Sequence, residues 1–212
     1  MSATDITLRR MSASVITTLA GMVRWEPGTR ERLQAAALEL FAERGFDQTT
    51  ASEIAAAVGL TERTFFRYFA DKREVLFDGQ ERLVDAFRAG LAAAPVDAPA
   101  LDVVAAALRS GASFFTDDRR AWSRLRQTVI DQHPALQERE RHKMAELAGV
   151  IRAALLDRGV AEPAATLAAE SGSTVLAVAF GQWIRDGEHR SLAQIEAAVL
   201  DDLRALTRTP PG

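Results

Sequence analysis

Apolar residues recur along this chain at three- and four-residue intervals, the period of an amphipathic helix. Leu33, Ala37, Leu40 and Phe41 make the first clear stripe, which ends at Gly45, a natural left-handed helix stop. Thr50 stands three residues before Glu53, a capping box for a short helix through Val58, with Ile54, Ala55 and Val58 on its inner face. Gly59 breaks that helix, and Thr61 caps a second short one through Phe69. Asp71 caps a longer helix, whose stripe is Leu76, Leu83, Val84, Phe87 and Leu91. APVDAP, residues 94–99, reads as a turn or linker. Five further helices are predicted over 100–116, 118–132, 135–158, 162–186 and 191–207, separated by Asp117–Asp118, Pro134, Gly159 to Pro163, and Gly187. Pro210 and Pro211 end the fold. There is no strand alternation and no internal repeat, so the predicted fold class is all-α.

Composition agrees. Alanine makes up roughly a fifth of the 212 residues, and of the 26 basic residues only Lys72 and Lys143 are lysine. Both Ala and Arg favour helix. With 48% hydrophobic residues the chain can bury a core and is not disordered throughout. It contains no Cys, which removes disulfides, thiolate metal sites and cysteine nucleophiles. The formal net charge is −3, so any nucleic-acid site must be local. At the start, Arg9 and Arg10 precede a weakly apolar run from Ala13 to Val23, which Ser14, Thr17, Thr18 and Gly21 dilute. No small-x-small cleavage site follows before Trp25, so residues 1–28 read as a flexible N-terminal extension rather than an export signal. The longest apolar candidate for a membrane span, Val175 to Ile184, is broken by Gly181 and Gln182 and falls short of about 18 residues.

Two helices this short, joined at Gly59, cannot bury enough surface alone and need their neighbours. Ala55 is small where the two axes must cross, Gly59 permits positive φ, and Leu60, Phe65 and Phe69 point inward. This is a helix-turn-helix pattern, whose second helix enters the DNA major groove. Thr61, Arg63 and Thr64 begin that helix. Arg63 suits a bidentate pair with guanine. Phe65, Phe66 and Phe69 read as core. The segment from Thr29 to Phe77, TRERLQAAALELFAERGFDQTTASEIAAAVGLTERTFFRYFADKREVLF, closely resembles the DNA-binding domain of TetR-like bacterial regulators. The resemblance implies that Tyr68 and Lys72 hold phosphates, with Thr49, Thr50 and Arg67 assisting. It implies a DNA-binding domain over 29–80 and a helical ligand-binding and dimerisation domain over 81–208. HPALQERER, residues 133–141, is similar to regulators of the mycofactocin-system type. Glu39, Glu43, Glu53 and Asp78 offset the arginines of 29–80, so few phosphate contacts are predicted.

The resemblance carries a function: a cytoplasmic repressor that binds a palindromic operator as a homodimer and is released by a small effector. Leu192, Ile195, Val199, Leu203 and Leu206 form a stripe on the last helix. With Leu176, Ala179, Phe180, Trp183 and the small Gly172 on the helix before it, they suit a four-helix dimer interface. Phe114, Phe115, Trp122, Phe180 and Trp183 suggest an apolar effector pocket, with Arg126 to hold a carboxylate or phosphate and His133 lining the same region. Resemblance to acyl-compound-responsive relatives points to an apolar or amphipathic ligand, such as an acyl-CoA. No cofactor or metal is implied. An enzyme is the rival class, but there is no Gly-rich phosphate loop, nucleophile elbow or HExxH. A di-iron bundle needs Glu-x-x-His pairs. Here Ile130, Arg139 and Asp186 precede His133, His142 and His189 at that distance. A helical protein-interaction module without sequence-specific DNA binding is the alternative.

Overall fold

The computed structural model describes residues 28–206, and residues 1–27 of the predicted N-terminal extension and the terminal Pro210–Pro211 stop lie outside them. The described residues hold α-helices and 3-10 turns and no strand. The chain divides into two compact units, the first ending at Leu76 and the second beginning at Phe77.

The first unit contains α1 (Thr29–Arg44), α2 (Ala51–Ala57) and α3 (Glu62–Tyr68). Leu33, Ala37, Leu38 and Phe41 of α1 are buried with Ile54, Ala55, Phe65 and Phe69. The three helices therefore share one core, as short helices must. The Thr50–Glu53 capping box forms in both directions. Gly59, at φ 73°, turns the chain, and the Leu60 amide closes back on the Ala55 carbonyl at 2.9 Å. The long helix predicted from Asp71 does not form. Asp71 accepts from the Arg73 and Glu74 amides and caps only a 3-10 turn, Glu74–Phe77. Gly79 then takes left-handed backbone at φ 89°, and the helix restarts at Gln80.

The second unit contains α4 (Gln80–Ala93), α5 (Ala100–Ala112), α6 (Arg120–Asp131), α7 (Pro134–Asp157), α8 (Ala164–Trp183) and α9 (Leu192–Leu206). Phe87, Val104, Leu108, Leu147, Ile151, Leu176, Trp183 and Ile195 make its core. By length and composition α8 is apolar enough to cross a membrane, which the sequence reading missed. Its inner face, with Val175, Leu176, Ala179 and Trp183, is buried in the unit as that of a core helix. Part of the predicted dimer stripe is likewise taken up by the unit's own core. Leu176, Leu192 and Ile195 are buried within their own chain. Gly172 gives close approach to Val104 of α5, not to a partner. Sequence periodicity reports that a face is apolar, not which surface covers it.

Candidate nucleic-acid interface

α3 is anchored from below and open above. Phe65 and Phe69, four residues apart, are buried with ring centroids 5.5 Å apart. Thr61 caps the helix, accepting from the Thr64 amide at 3.3 Å, and the two hydroxyls lie 3.1 Å apart. Arg63 projects from the first turn, exposed, with no partner among the described residues. Its guanidinium is available for a bidentate acceptor such as a guanine edge. Thr50 is exposed at the N-terminus of α2, where its hydroxyl donates to Glu53 Oε2 at 2.8 Å.

Phe66 departs from the core role expected of it. It is 50% exposed, its ring set edge-on to Phe65 at 5.4 Å. One residue past Phe65 is about 100° around a helix, and the inward face of α3 is already filled by Phe65 and Phe69. The sequence signal for this was the spacing itself. An exposed phenyl beside Arg63 on the same short helix suits apolar contact with a thymine methyl.

Arg67 lies over the Tyr68 ring at 5.2 Å, and Nη2 donates to the Tyr68 hydroxyl at 3.5 Å. That hydrogen bond, together with one from Thr29, holds the exposed phenol below its ordinary pKa. Arg30, which the sequence reading did not single out, lies over Phe69 at 5.1 Å and donates to the Tyr68 carbonyl at 3.2 Å. It ties the start of α1 to the end of α3.

Thr49 and Lys72 need correction as phosphate ligands. Thr49 is buried, and its hydroxyl donates to the carbonyls of Gly45 and Leu40 at 2.9 and 3.3 Å. It closes the α1–α2 turn. The Lys72 ammonium donates to the carbonyls of Phe46 and Thr49 at 2.7 and 2.9 Å and lies 4.3 Å from the Phe46 ring centroid. The turn thus takes up most of its hydrogen-bonding capacity. A sequence reading sees a cation near a helix-turn-helix, but not the carbonyls folded over it. Hydrogen bonds from a charged donor are each worth about 1.5–3 kcal/mol, fewer when solvent shares the site. Lys72→Met is therefore expected to loosen the α1–α2 turn by about 1–2 kcal/mol, a 5- to 30-fold rise in amide exchange there. Unchanged exchange would return Lys72 to a purely phosphate-facing role.

The other candidate residues belong to the second unit. Phe114, Phe115, Phe180 and Trp183 form one ring cluster. Phe115 lies 5.1 Å from Phe114, 5.5 Å from Phe180 and 5.9 Å from Trp183. Arg119 covers Phe114 at 4.4 Å, and burial beside Arg82 lowers its pKa. Arg120 covers Trp183 at 5.1 Å. Trp122 is half-buried on α6, and His133 occupies the N-cap position of α7. Arg126 does not wait for a ligand carboxylate. Its Nη1 meets Glu140 of α7 at 3.0 Å, and it lies over Phe77 at 5.1 Å. Burial lowers the Arg126 pKa, and Glu140 opposes that. Among the described residues no group of three or more His, Asp or Glu side chains is placed to hold a metal ion.

Residues 33–78 match the model of the bacterial regulatory proteins of the tetR family. Over these residues the chain is similar to that family. A segment of 82 residues is 40% identical to the HTH-type transcriptional regulator TcmR of Streptomyces glaucescens. That match covers 39% of this chain and 36% of TcmR, so the chain spans about a third of this relative's length. Likeness of fold extends further than the sequence match. The fatty acid degradation regulator FadR of Bacillus halodurans superposes with TM-score 0.59 at 15% identity, over 88% of this chain and 100% of that one. FadR of Bacillus subtilis, solved with stearoyl-CoA, superposes with TM-score 0.58 at 18% identity, over 82% and 96%.

Proposed function

We propose that this chain is a cytoplasmic transcriptional repressor whose residues 29–80 bind operator DNA and whose residues 81–208 dimerise and take a small effector. The observation that carries the reading is α3: a capped helix, fixed to the core by Phe65 and Phe69, with Thr61, Arg63, Phe66 and Arg67 exposed. The family match over residues 33–78 supports the same role.

A homodimer would present two such helices to a near-palindromic site. The dimer surface differs in part from the stripe expected above. Leu167 and Val178 of α8 are 65% and 45% exposed and about three turns apart, with Thr174 and Gly181 on the same face. Together with the half-buried Phe180, Val199 and Leu203, they favour an isologous four-helix contact between α8 and α9 of two copies. The aromatic cluster of Phe114, Phe115, Phe180 and Trp183 supports an apolar or amphipathic effector. The stearoyl-CoA of the B. subtilis FadR structure makes acyl-CoAs the first class to try.

The test is a mobility shift on DNA fragments recovered with the purified protein, with light scattering alongside. Wild-type protein should bind one near-palindrome at twice the 23.0 kDa chain mass. Arg63→Ala should lose about 1–3 kcal/mol of operator affinity and relax preference at one base position per half-site. Equal weakening on every sequence would remove the base-reading role. Binding to random duplex as tight as to any selected fragment would defeat the regulator reading.

A further inference from the structure

Glu196 is the most anomalous side chain in the second unit. It is 2% exposed, and neither carboxylate oxygen has a hydrogen-bond partner among the described residues. Burying a carboxyl without a partner is costly, and an aliphatic side chain would pack there without that penalty. The residue does not sit in closed core. It lines a cleft of about 860 Å³ bounded by the end of α4, by α5 and by α9. The lining is rich in methyl groups, among them those of Ala89, Ala93, Ala105, Ala106 and Ala197. None of the aromatic cluster lines this cleft.

The charged groups of the lining are few. Asp102 and Arg109 come from α5, and Asp201 and Arg204 from α9; the α4 stretch contributes none. Arg204 is already held by Asp102 and, at 3.1 Å, by Asp201. Arg109 is exposed. With Arg204 held by two of the three acids, Glu196 and the exposed Arg109 are the charged groups that remain, and of these Glu196 alone is buried. Glu196 lines the cleft with its carboxylate oxygens covered from bulk solvent, so the side chain must turn outward to meet a ligand.

We propose that this cleft binds a small organic cation, an alkylammonium, whose charged head meets Glu196 while its hydrocarbon lies along the alanine walls. The inference is independent of DNA binding and of the aromatic cluster. Burial pushes the Glu196 carboxyl up to about 8, so near neutral pH it carries a proton. An arriving ammonium converts it to carboxylate, and that proton leaves to buffer. Binding is then an exchange of one proton for one cation.

The experiment is calorimetric titration of the full-length protein, without DNA, using n-hexylammonium chloride and, as the uncharged match, n-hexanol. Hexylammonium should bind once per chain, releasing close to one proton at about pH 7, read from buffers of different ionisation enthalpy. Its affinity should rise about tenfold per pH unit below the carboxyl's pKa and level off above about pH 8. Hexanol should bind at least tenfold more weakly. Glu196→Gln keeps the shape and should abolish both the proton release and the preference for the cation. Ala197→Phe, substituted at an exposed position of the lining, should block the cleft. If Glu196→Gln does not fold, the wild-type pH slope and proton count decide alone. The proposal falls if hexylammonium does not bind, if hexanol binds equally well, or if cation affinity is independent of pH.

Discussion

Replacing Glu196 with Gln is expected to remove a large pH dependence from the stability of this protein. In the folded chain the carboxyl sits at about 8, against 4.5 for the ordinary group, because burial disfavours its charge. Between those two values the folded state holds a proton that the unfolded state has released. Stability from this group is therefore complete below about pH 4.5 and is lost progressively as the pH rises to about 8. A shift of more than three pH units at about 1.4 kcal/mol each is worth on the order of 4 kcal/mol. Gln leaves a buried amide that costs about 1–3 kcal/mol, but that penalty does not change with pH. The difference between wild type and variant should thus change by on the order of 4 kcal/mol between about pH 5 and pH 9, in favour of the variant at the alkaline end. Urea unfolding at the two pH values measures it. Parallel profiles for the two proteins would mean that the carboxyl stays ionised in the fold, held by water or by groups outside the described residues.

Gly90→Ala is the second large effect. Glycine lets α4 and α5 approach there. A Cβ at residue 90 would overlap the Ala106 carbonyl oxygen and lie 2.8 Å from the Ala107 Cα and 2.7 Å from the Ser110 Cβ. Two of the three obstacles are backbone, so no rotamer change relieves them and the helices must separate. Overpacking of this kind costs about 1–3 kcal/mol and occasionally more. The better helix propensity of alanine returns about 1 kcal/mol. The clash should win, with a net loss of about 1 kcal/mol, rising to about 2 where the helices yield least. Gly149→Ala on α7 is the internal control. Nothing lies within 4 Å of its Cβ, so propensity acts alone and stability should rise by up to about 1 kcal/mol. Thermal unfolding of both variants separates the two terms. Equal shifts of one sign in both would show that the α4–α5 crossing tolerates a methyl group.

The helix-turn-helix was legible because its signals are local. Thr50 and Glu53 lie three residues apart, Gly59 carries its own backbone freedom, and Thr61 caps the helix that follows. Each acts within about one helical turn, so one sequence suffices to read it. Contacts between distant parts of the chain have the opposite property. Thr49 and Lys72 have the residue types that suit phosphate, but the turn between α1 and α2 brings carbonyls onto both. Phe66 was assigned to the core, yet only two of three neighbouring aromatics fit under α3. Arg126 has the charge of a ligand anchor, and Glu140, from the next helix, pairs with it.

Helical class, helix order and the position of the DNA-binding motif were thus set by the sequence itself, since periodicity, caps and breakers act through neighbouring residues. Which apolar face meets which was left to the tertiary structure. Leu192 and Ile195 look the same in sequence whether they face α5 and α8 or a second subunit, and the fold buries them within the chain. Glu196, one residue further along α9, passes for a polar surface position until α5 and the end of α4 enclose it. Burial depends on groups far apart along the chain, and so do the pKa of Glu196, the pairing of Arg126 and the close approach at Gly90. No local pattern encodes them.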